Sequence, residues 1–262
     1  MASQYHLQRV ADILNAHRAA SISTVGLAVL VSLAISDYRL YLSYGPGGLP
    51  YNLGGWLVAS LFRIITREQL STRPYDNPGL PLANEPRFLP PAFPPKRTSD
   101  RPLLGRHAVP QRQLNQLPDD EIRERLIDGF AQLGKKAEEK GLVEVRQSRY
   151  ERHHEAMFVS SSRQWNVVAE HTNGEITHVH AGVDGSVHVT LHPADCKAVF
   201  EAGWGQRHPL SGVDVLKKVA GFSLPVNYVL LYAPRDQAEV DIVLTMVKAS
   251  IGYVTGVRDA LE

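Results

Sequence analysis

A chain of 262 residues, 44% of them apolar, can bury a full core and is short enough for one globular domain with an appendage. The formal net charge is +1, and the basic residues form no patch with interleaved aromatic residues, which argues against a nucleic-acid-binding protein. The single cysteine, Cys196, excludes a disulfide within the chain and fits a reducing compartment.

The N-terminal part, residues 1–72, is predicted to associate with a membrane. Ala19 to Ser36 carry no charge over roughly 18 residues, which lets a helix cross a hydrocarbon core. A buried helix and a signal peptide are the alternatives, but charged residues follow instead of a small-residue cleavage site. A second uncharged run, Gly47 to Phe62, is typical of an interfacial or re-entrant segment, or of a hydrophobic lid against the domain. We expect a single-pass anchor, with the following domain cytosolic at the endoplasmic reticulum.

The middle segment, Arg73 to Pro110, holds most of the prolines, which interrupt helices and sheet ladders. We predict a stiff linker there, followed by a catalytic domain over residues 111–262. Asp119 is predicted to cap the first helix of that domain, and a final helix begins at Asp236. The predicted strands outside the central hairpin are Leu142 to Val145, Tyr150 to Ser160 and Val226 to Ala233, and Ser161 to Asn173 is predicted to be irregular.

A β-hairpin that carries several histidines is the most distinctive predicted element. In the first strand, Ile176, His178 and His180 alternate onto one face; in the second, the matching face carries Ser186, His188, Thr190 and His192. Gly182 to Gly185 supplies a short glycine-bearing turn. The fold class is therefore predicted as α+β, an antiparallel sheet with this hairpin at its centre and helices packed on one face.

The hairpin histidines are the main candidates for chemistry because imidazole titrates near operating pH. We predict His178 and His180 as catalytic residues, with His188 contacting the substrate. His178-x-His180 followed by Asp184 also fits a two-histidine, one-carboxylate metal site. Asp in a turn commonly serves its own backbone, so we predict no metal.

Other candidates lie outside the hairpin or at its start. The loop after Gly203 is predicted to contribute Arg207, which would hold an oxyanion, and Trp204, which would form an apolar wall. The alternative is that Trp204 fills the core and Arg207 pairs with a surface acid. The remaining candidates for contact with the substrate are His208, Tyr232, His153 in the preceding strand, and Glu175, which can orient a histidine.

Several of these stretches resemble the fungal luciferase-like family, and the likeness covers nearly the whole chain. They are Gly203 to Leu210, Glu175-Ile176 with His178-x-His180, Tyr232 to Arg235, Ala249 to Tyr253, and Glu151 with His153. The resemblance implies a membrane-associated protein and, for luminous members, oxidation of a hydroxylated styryl-pyrone by O2 without metal or organic cofactor. It implies His178 or His180 as the base and Arg207 as the cation. The turn Ala181 to Ser186 is closer to non-luminous relatives.

Three hypotheses follow for function. The first is a membrane-anchored, cofactor-free enzyme that oxidises a lipophilic polyketide- or terpenoid-like molecule with O2. The second is a cyclase of natural-product biosynthesis, in which a shaped apolar pocket and a few hydrogen-bond donors promote an intramolecular cycloaddition. The third is a non-catalytic membrane scaffold. We favour an enzyme, because clustered imidazoles beside an arginine are poor choices for a passive surface.

Overall fold

The computed structural model describes residues 2–220, 223–258 and 261. The chain forms two compact units, Met1–Ser43 and Tyr44–Glu262. The first unit consists of helices α1 (Ala2–Ala16) and α2 (Arg18–Ser43). Within α2, Ala20–Ser43 is long and apolar enough to cross a membrane, and it is the one such helix in the described part of the chain. Length and composition alone support this, and an N-terminal signal sequence has the same properties.

The second unit contains, over its described residues, a sheet, six helices and one 3-10 turn. Its helices are α3 (Leu53–Phe62), α4 (Asp120–Glu139), α5 (Val167–His171), α6 (Pro193–Glu201), α7 (Val215–Ala220) and α8 (Gln237–Thr255), and the 3-10 turn is Arg73–Asp76. Asp119 caps α4 by accepting a hydrogen bond from the Ile122 N–H at 2.8 Å, and Asp236 caps α8 in the same way. Both predicted helix starts are confirmed.

The sheet has six strands, and each neighbouring pair is antiparallel. The strands are β1 (Val143–Gln147), β2 (Glu155–Val159), β3 (Glu175–Val179), β4 (Val187–Thr190), β5 (Gly205–Arg207) and β6 (Tyr228–Leu231). Their order is β1-β2-β3-β4-β6-β5, so the β3–β4 hairpin occupies the centre. This confirms the predicted α+β class and the central position of the histidine hairpin.

One face of the sheet packs against helices α4, α6 and α8. Val187 and Val189 of β4 are fully buried there in one core cluster with Leu126 of α4 and Val243 and Val247 of α8. Since side chains alternate along a strand, His188, between these valines, points to the opposite face, as does its cross-strand partner His178. The fold therefore separates an apolar helix-covered face from a second face that carries the imidazoles.

The proline-rich segment lies inside the second unit. Tyr75 and Leu89 are buried in the helix-side core, and the backbone N–H groups of Phe88 and Leu89 donate to the Asp195 carboxylate at 2.9 and 3.2 Å. These contacts explain how a segment with little regular structure becomes fixed: its polar backbone groups find partners on α6. The unit begins at Tyr44, well before the predicted linker.

A β-bulge in β3 makes the observed hairpin differ from the predicted alternation. Met157 pairs with Thr177, but the next residue, Phe158, pairs with Glu175, so Ile176 is left without a partner on β2. Ile176 therefore turns into the helix-side core instead of sharing the histidine face. The bulge also places Glu175 on the histidine side, where its carboxylate contacts the His178 ring at 2.7 Å.

Three further sequence predictions need correction. Gly205–Arg207, predicted as loop, is the edge strand β5, which pairs with β6. His153 and His154, predicted in a strand, lie in the turn region before β2. The short helix α5 lies in the stretch Ser161 to Asn173, where the sequence predicts irregular structure.

Candidate functional site

A cavity of about 290 Å³ lies on the histidine-bearing face of the sheet. One part of its lining is polar and contains four imidazoles and a carboxylate, whereas the other part is apolar. Its lining residues are Gly47, Gly48, Leu49, Phe62, Val109, Pro110, Gln111, Arg149, Tyr150, Glu151, Arg152, His178, His180, His188, His208, Leu210, Leu224 and Tyr228. This composition suits a small molecule with a hydrocarbon part and a few polar groups.

The four imidazoles form one contact cluster at the floor of the cavity. His178 and His188 are direct cross-strand partners in β3 and β4, and their ring centroids lie 5.1 Å apart. The His180 ring lies 5.0 Å from that of His188 and 5.5 Å from that of His178. His208 approaches from the stretch after β5, with its ring 5.4 Å from His188, and Tyr228 stacks on His188 at 4.9 Å.

Hydrogen bonds on the outer side of the cluster fix the ring orientations. The His178 Nδ1 lies 2.7 Å from the Glu175 carboxylate, and the His188 Nδ1 lies 3.3 Å from the Val229 carbonyl. The His180 Nδ1 lies 2.9 Å from the Ser186 hydroxyl, which itself donates to Asp184 at 2.6 Å. Because carboxylates and carbonyls only accept, His178 and His188 carry their proton on Nδ1 and keep the Nε2 lone pair free.

Burial favours the neutral form of His180, His188 and His208. It lowers the pKa of His180, with a further contribution from the nearby Arg112 charge, and holds the pKa of His188 well below its usual value, with further contributions from His180 and His178. The pKa of His208 falls to about 3, first because of burial and then because of the other histidines. A substrate in the cavity therefore faces uncharged nitrogen atoms.

A buried ion pair lies beside the cluster. Arg112 Nη2 contacts Glu151 Oε1 at 2.9 Å and also donates to the Pro46 carbonyl at 2.8 Å. The second carboxylate oxygen of Glu151 lies 3.7 Å from His180 Nε2. Burial alone raises the pKa of Glu151, but His180 and Arg112 reverse this effect and lower it, so Glu151 is ionised. Gly47 makes room for the pair, because a Cβ there would lie 2.8 Å from Glu151 Oε2.

Two further polar side chains in the cavity lining have unused hydrogen-bonding capacity. Gln111 is 3% exposed, and both atoms of its amide group lack a hydrogen-bond partner within the described structure. A buried amide left unpaired costs about 1–3 kcal/mol, so it marks a position where a ligand can complete the bonding. Arg149 lies at an exposed position in the lining, and its main-chain N–H donates to Glu175 at 2.8 Å.

Several predicted site residues lie elsewhere. Arg207 pairs with Val229, whose side chain faces the helices, so the Arg207 guanidinium points away from the cavity and donates to the carbonyls of Glu68 and Ser71. Trp204 is buried in the helix-side core, and its indole N–H donates to the Pro95 carbonyl. Tyr232 is hydrogen-bonded to Gln206 and Arg101 away from the cavity lining.

His153 also lies outside the imidazole cavity. It lines a second cavity of about 380 Å³ with His154, beside α4 residues such as Phe130. Of the predicted residues, the structure therefore brings together His178, His180, His188 and His208 in the cavity, with Glu175 behind the His178 ring.

Three of the imidazoles have the composition of a metal site. His178, His180 and His188 each offer a ring nitrogen, and these atoms lie within 4.8 Å of one another. Asp184, the carboxylate considered in the sequence, contacts His180 on its Nδ1 side at 3.4 Å and the Gln113 N–H at 2.7 Å. Asp184 therefore supports the turn, and His188 instead of Asp184 is the third residue of this group beside His178 and His180.

Sequence reasoning missed Gln111, Arg112 and Arg149. Arg112 and Glu151 are distant in sequence and meet only after folding. Glu151 is among the positions that share the family likeness, which is the single sequence signal for this pair. Gln111 follows the proline-rich segment, and nothing in its local pattern distinguishes it from a surface glutamine.

Comparison with known proteins places this architecture in a family. The Luciferase domain profile matches residues 173–250, which include the hairpin and β5. The chain is 33% identical over 248 residues to a luciferase of Armillaria ostoyae, covering 89% of this chain and 88% of that protein. This chain belongs to the fungal luciferase-like family. It is also 32% identical over 238 residues to a luciferase of Neonothopanus nambi, covering 87% of this chain and 84% of that protein. No solved structure was found to match.

The family likeness supports an oxygenase-like enzyme in general terms. The matched region contains Glu175, His178, His180, His188 and His208, so the imidazole cluster lies inside the part of the fold that the family shares. The other half of the cavity lining, with Gln111 and Glu151, lies before that region but within the longer alignment to the luciferases.

Proposed function

We propose that this protein is an oxygenase-like enzyme that oxidises a lipophilic, enolisable small molecule of polyketide or terpenoid type with O2, as in oxidation of a hydroxypyrone. One observation carries the proposal: four buried imidazoles and an ionised glutamate face a partly apolar cavity of about 290 Å³. Such a cavity suits a substrate with an acidic enol at one end and hydrocarbon at the other.

The first chemical step is removal of the enol proton, because the resulting enolate is electron-rich enough to react with O2. His178, His180 and Glu151 face the cavity with an available lone pair, so each can act as the base. The Glu175 carboxylate behind His178 stabilises positive charge on that ring. Arg149, rather than Arg207, is the cation placed to hold the enolate oxygen.

Substrate orientation is assigned to Gln111 and to the apolar part of the lining. The unpaired Gln111 amide can hydrogen-bond a ring carbonyl or hydroxyl, which removes the cost of its burial. Phe62, Leu210 and Leu224 offer the surface for the hydrocarbon part. This division places the reacting enol against the imidazoles, and binding energy from the apolar end contributes to positioning.

O2 consumption with a hydroxypyrone tests the proposal on the purified full-length chain in detergent. We expect uptake by the wild type and loss of uptake in His178→Ala and His180→Ala, with His153→Ala, at the second cavity, as the matched control. Equal uptake by all four proteins would remove the proposal. Turnover of the substrate that continues unchanged under argon would favour the cyclase hypothesis instead.

The membrane location is part of the same proposal. We assign α2 as a single-pass anchor, with the catalytic unit in the cytosol at the endoplasmic reticulum, because a lipophilic substrate partitions into the bilayer. A role in secondary metabolism follows from the same substrate class. An epitope placed before α1 should be protected from protease in sealed microsomes, and protection of the catalytic unit instead would reverse the orientation.

A further inference from the structure

We infer that His178, His180 and His188 together bind one divalent transition-metal ion through their Nε2 atoms. This rests on the proposed function only in its location, the cavity floor, and goes beyond it in naming a cofactor. Imidazole nitrogen is a preferred ligand for Fe, Zn, Cu and Ni, and three such ligands leave positions open for substrate or O2.

The spacing of the three rings agrees with a shared ion. An ion bound at ~2.1 Å to three imidazole nitrogens at tetrahedral angles places the ring centroids roughly 5 Å apart. The observed centroid separations are 5.0, 5.1 and 5.5 Å. The candidate nitrogens lie within 4.8 Å of one another, so rotation of the rings, with little change in the centroid separations, completes the coordination geometry.

The hydrogen bonds behind the rings are those of metal-ligating histidines. Such histidines almost always donate their other ring N–H to a carboxylate, a backbone carbonyl or water, which fixes the tautomer. Here the Nδ1 atom of His178 contacts Glu175 at 2.7 Å, and that of His188 contacts the Val229 carbonyl at 3.3 Å. The Nδ1 atom of His180 contacts the Ser186–Asp184 pair. Since Nδ1 is engaged in all three rings, Nε2 is the atom that each ring offers to an ion.

Other buried histidines in the same unit show the alternative arrangement. His192 uses both ring nitrogens on the main chain, with Nε2 bonded to the Leu82 carbonyl and Nδ1 accepting from Ala194 N–H. His208 accepts from the Leu210 N–H and also hydrogen-bonds the Ala108 backbone. A purely structural histidine is satisfied in this way, whereas each member of the triad keeps one nitrogen for the cavity.

The neighbouring charges also fit a bound cation. Glu151 Oε2 lies 3.7 Å from His180 Nε2, so a carboxylate lies beside the proposed ion site although it is not one of the three ligands. An ion held by the three imidazoles would supply Lewis-acid polarisation of the substrate enol, and Glu151 would be the neighbouring group that takes up the enol proton. His178 and His180 are then occupied as ligands, so Glu151 is the proton acceptor among the three groups considered above.

Cobalt(II) binding to the full-length protein in detergent tests the inference without any turnover. After treatment with a chelator, Co2+ alone should bind the wild type with visible d–d absorption and raise its melting temperature. His188→Ala should lose both effects, whereas His153→Gln, at the second cavity, should retain them. Glu175→Gln keeps all three ligands and should weaken Co2+ binding about 10–100-fold, since it removes the charge behind His178.

The outcomes separate the metal from the function. The inference is overturned if the wild type binds Co2+ no more tightly than His188→Ala does. It is also overturned if Glu175→Gln binds Co2+ as tightly as the wild type does, and this comparison is the deciding one if His188→Ala does not fold. Full O2 uptake by the metal-free wild type would also overturn it while leaving the proposed function standing. Co2+ binding with no O2 uptake on any hydroxypyrone would leave the metal site and remove the function.

Discussion

At the scale of the single residue, Gln111 contributes to the binding site but lowers the stability of the ligand-free protein. Its amide is buried without a partner within the described structure, so replacement by leucine removes an unsatisfied polar group while roughly keeping volume. We predict that Gln111→Leu raises the free energy of unfolding of the free protein by about 1 kcal/mol and raises KM. Chemical denaturation and steady-state kinetics measure the two effects; a destabilised variant with unchanged KM would contradict this role.

Arg207 and Arg149 are two candidates for the cation that holds the oxyanion, and they differ in a measurable way. Arg207 is 3% exposed and bonded to main-chain carbonyls, whereas Arg149 lines the cavity at an exposed position. We predict that Arg207→Ala lowers the melting temperature because it removes the hydrogen bonds by which this buried guanidinium holds the Glu68 and Ser71 carbonyls. Arg149→Ala should keep the melting temperature and lower kcat/KM about 10-fold or more. The reverse pattern in thermal melts and kinetics would return the oxyanion role to Arg207.

The contrast between these arginines explains which single residues can be placed from sequence. Alternation alone places His178 and His188 on one face, because both lie in regular strand with a period of two. The sequence favours Arg207 for the site only if residues 205–207 form a loop, in which side-chain direction is free. As strand β5 they obey the same alternation, and Arg207 faces the helices with Val229.

Among the elements, the β3–β4 hairpin is predictable from sequence and the bulge within β3 is not. The turn residues and alternating pattern of the hairpin are local in sequence. The bulge depends on how β3 pairs with β2, where Phe158 skips Ile176 and pairs with Glu175. Register with a distant strand is a tertiary property, so a Glu175–His178 contact can be proposed from sequence but its geometry cannot.

Helix α3 supports the predicted interfacial segment through its apolar outer face. Leu57 is 51% exposed and Leu61 63% exposed, while Phe62 on the same helix lines the cavity. We predict that a nitroxide at Leu61→Cys in nanodiscs is more accessible to O2 than to a water-soluble relaxation agent. Leu103→Cys, at a residue 65% exposed outside α3, provides the matched control. Equal accessibility at both positions would place α3 in water.

For the whole molecule, the proposed anchor α2 gives a testable prediction. Replacing Leu27 and Leu30 by arginine adds about 2.5–3.5 kcal/mol per residue to membrane insertion when the residues lie near the centre of the span. We predict that this double variant moves into the soluble fraction after alkaline carbonate extraction, whereas Leu7→Arg in α1 stays with the membrane. Retention of the double variant would show that α2 is not the anchor.

The sequence predicts the order of strands and helices better than it predicts where the chain divides into linker and domain. Strand and helix order, with caps at Asp119 and Asp236, depends on local patterns. The proline-rich segment has the composition of a linker because it lacks both periodicities, but tertiary contacts such as those of Asp195 with Phe88 and Leu89 fix it in the unit. Local composition does not encode such contacts.

Oxidation of the substrate by O2 in the imidazole cavity is the main proposal, and isotope labelling tests it without assuming which residue acts as the base. A hydroxypyrone is incubated under 18O2 with the wild type and with His188→Gln, and the product and any released CO2 are analysed by mass spectrometry. We predict 18O in the product or the CO2 from the wild type and none from the variant. Unlabelled product from the wild type, or equal labelling by both proteins, would contradict the proposal.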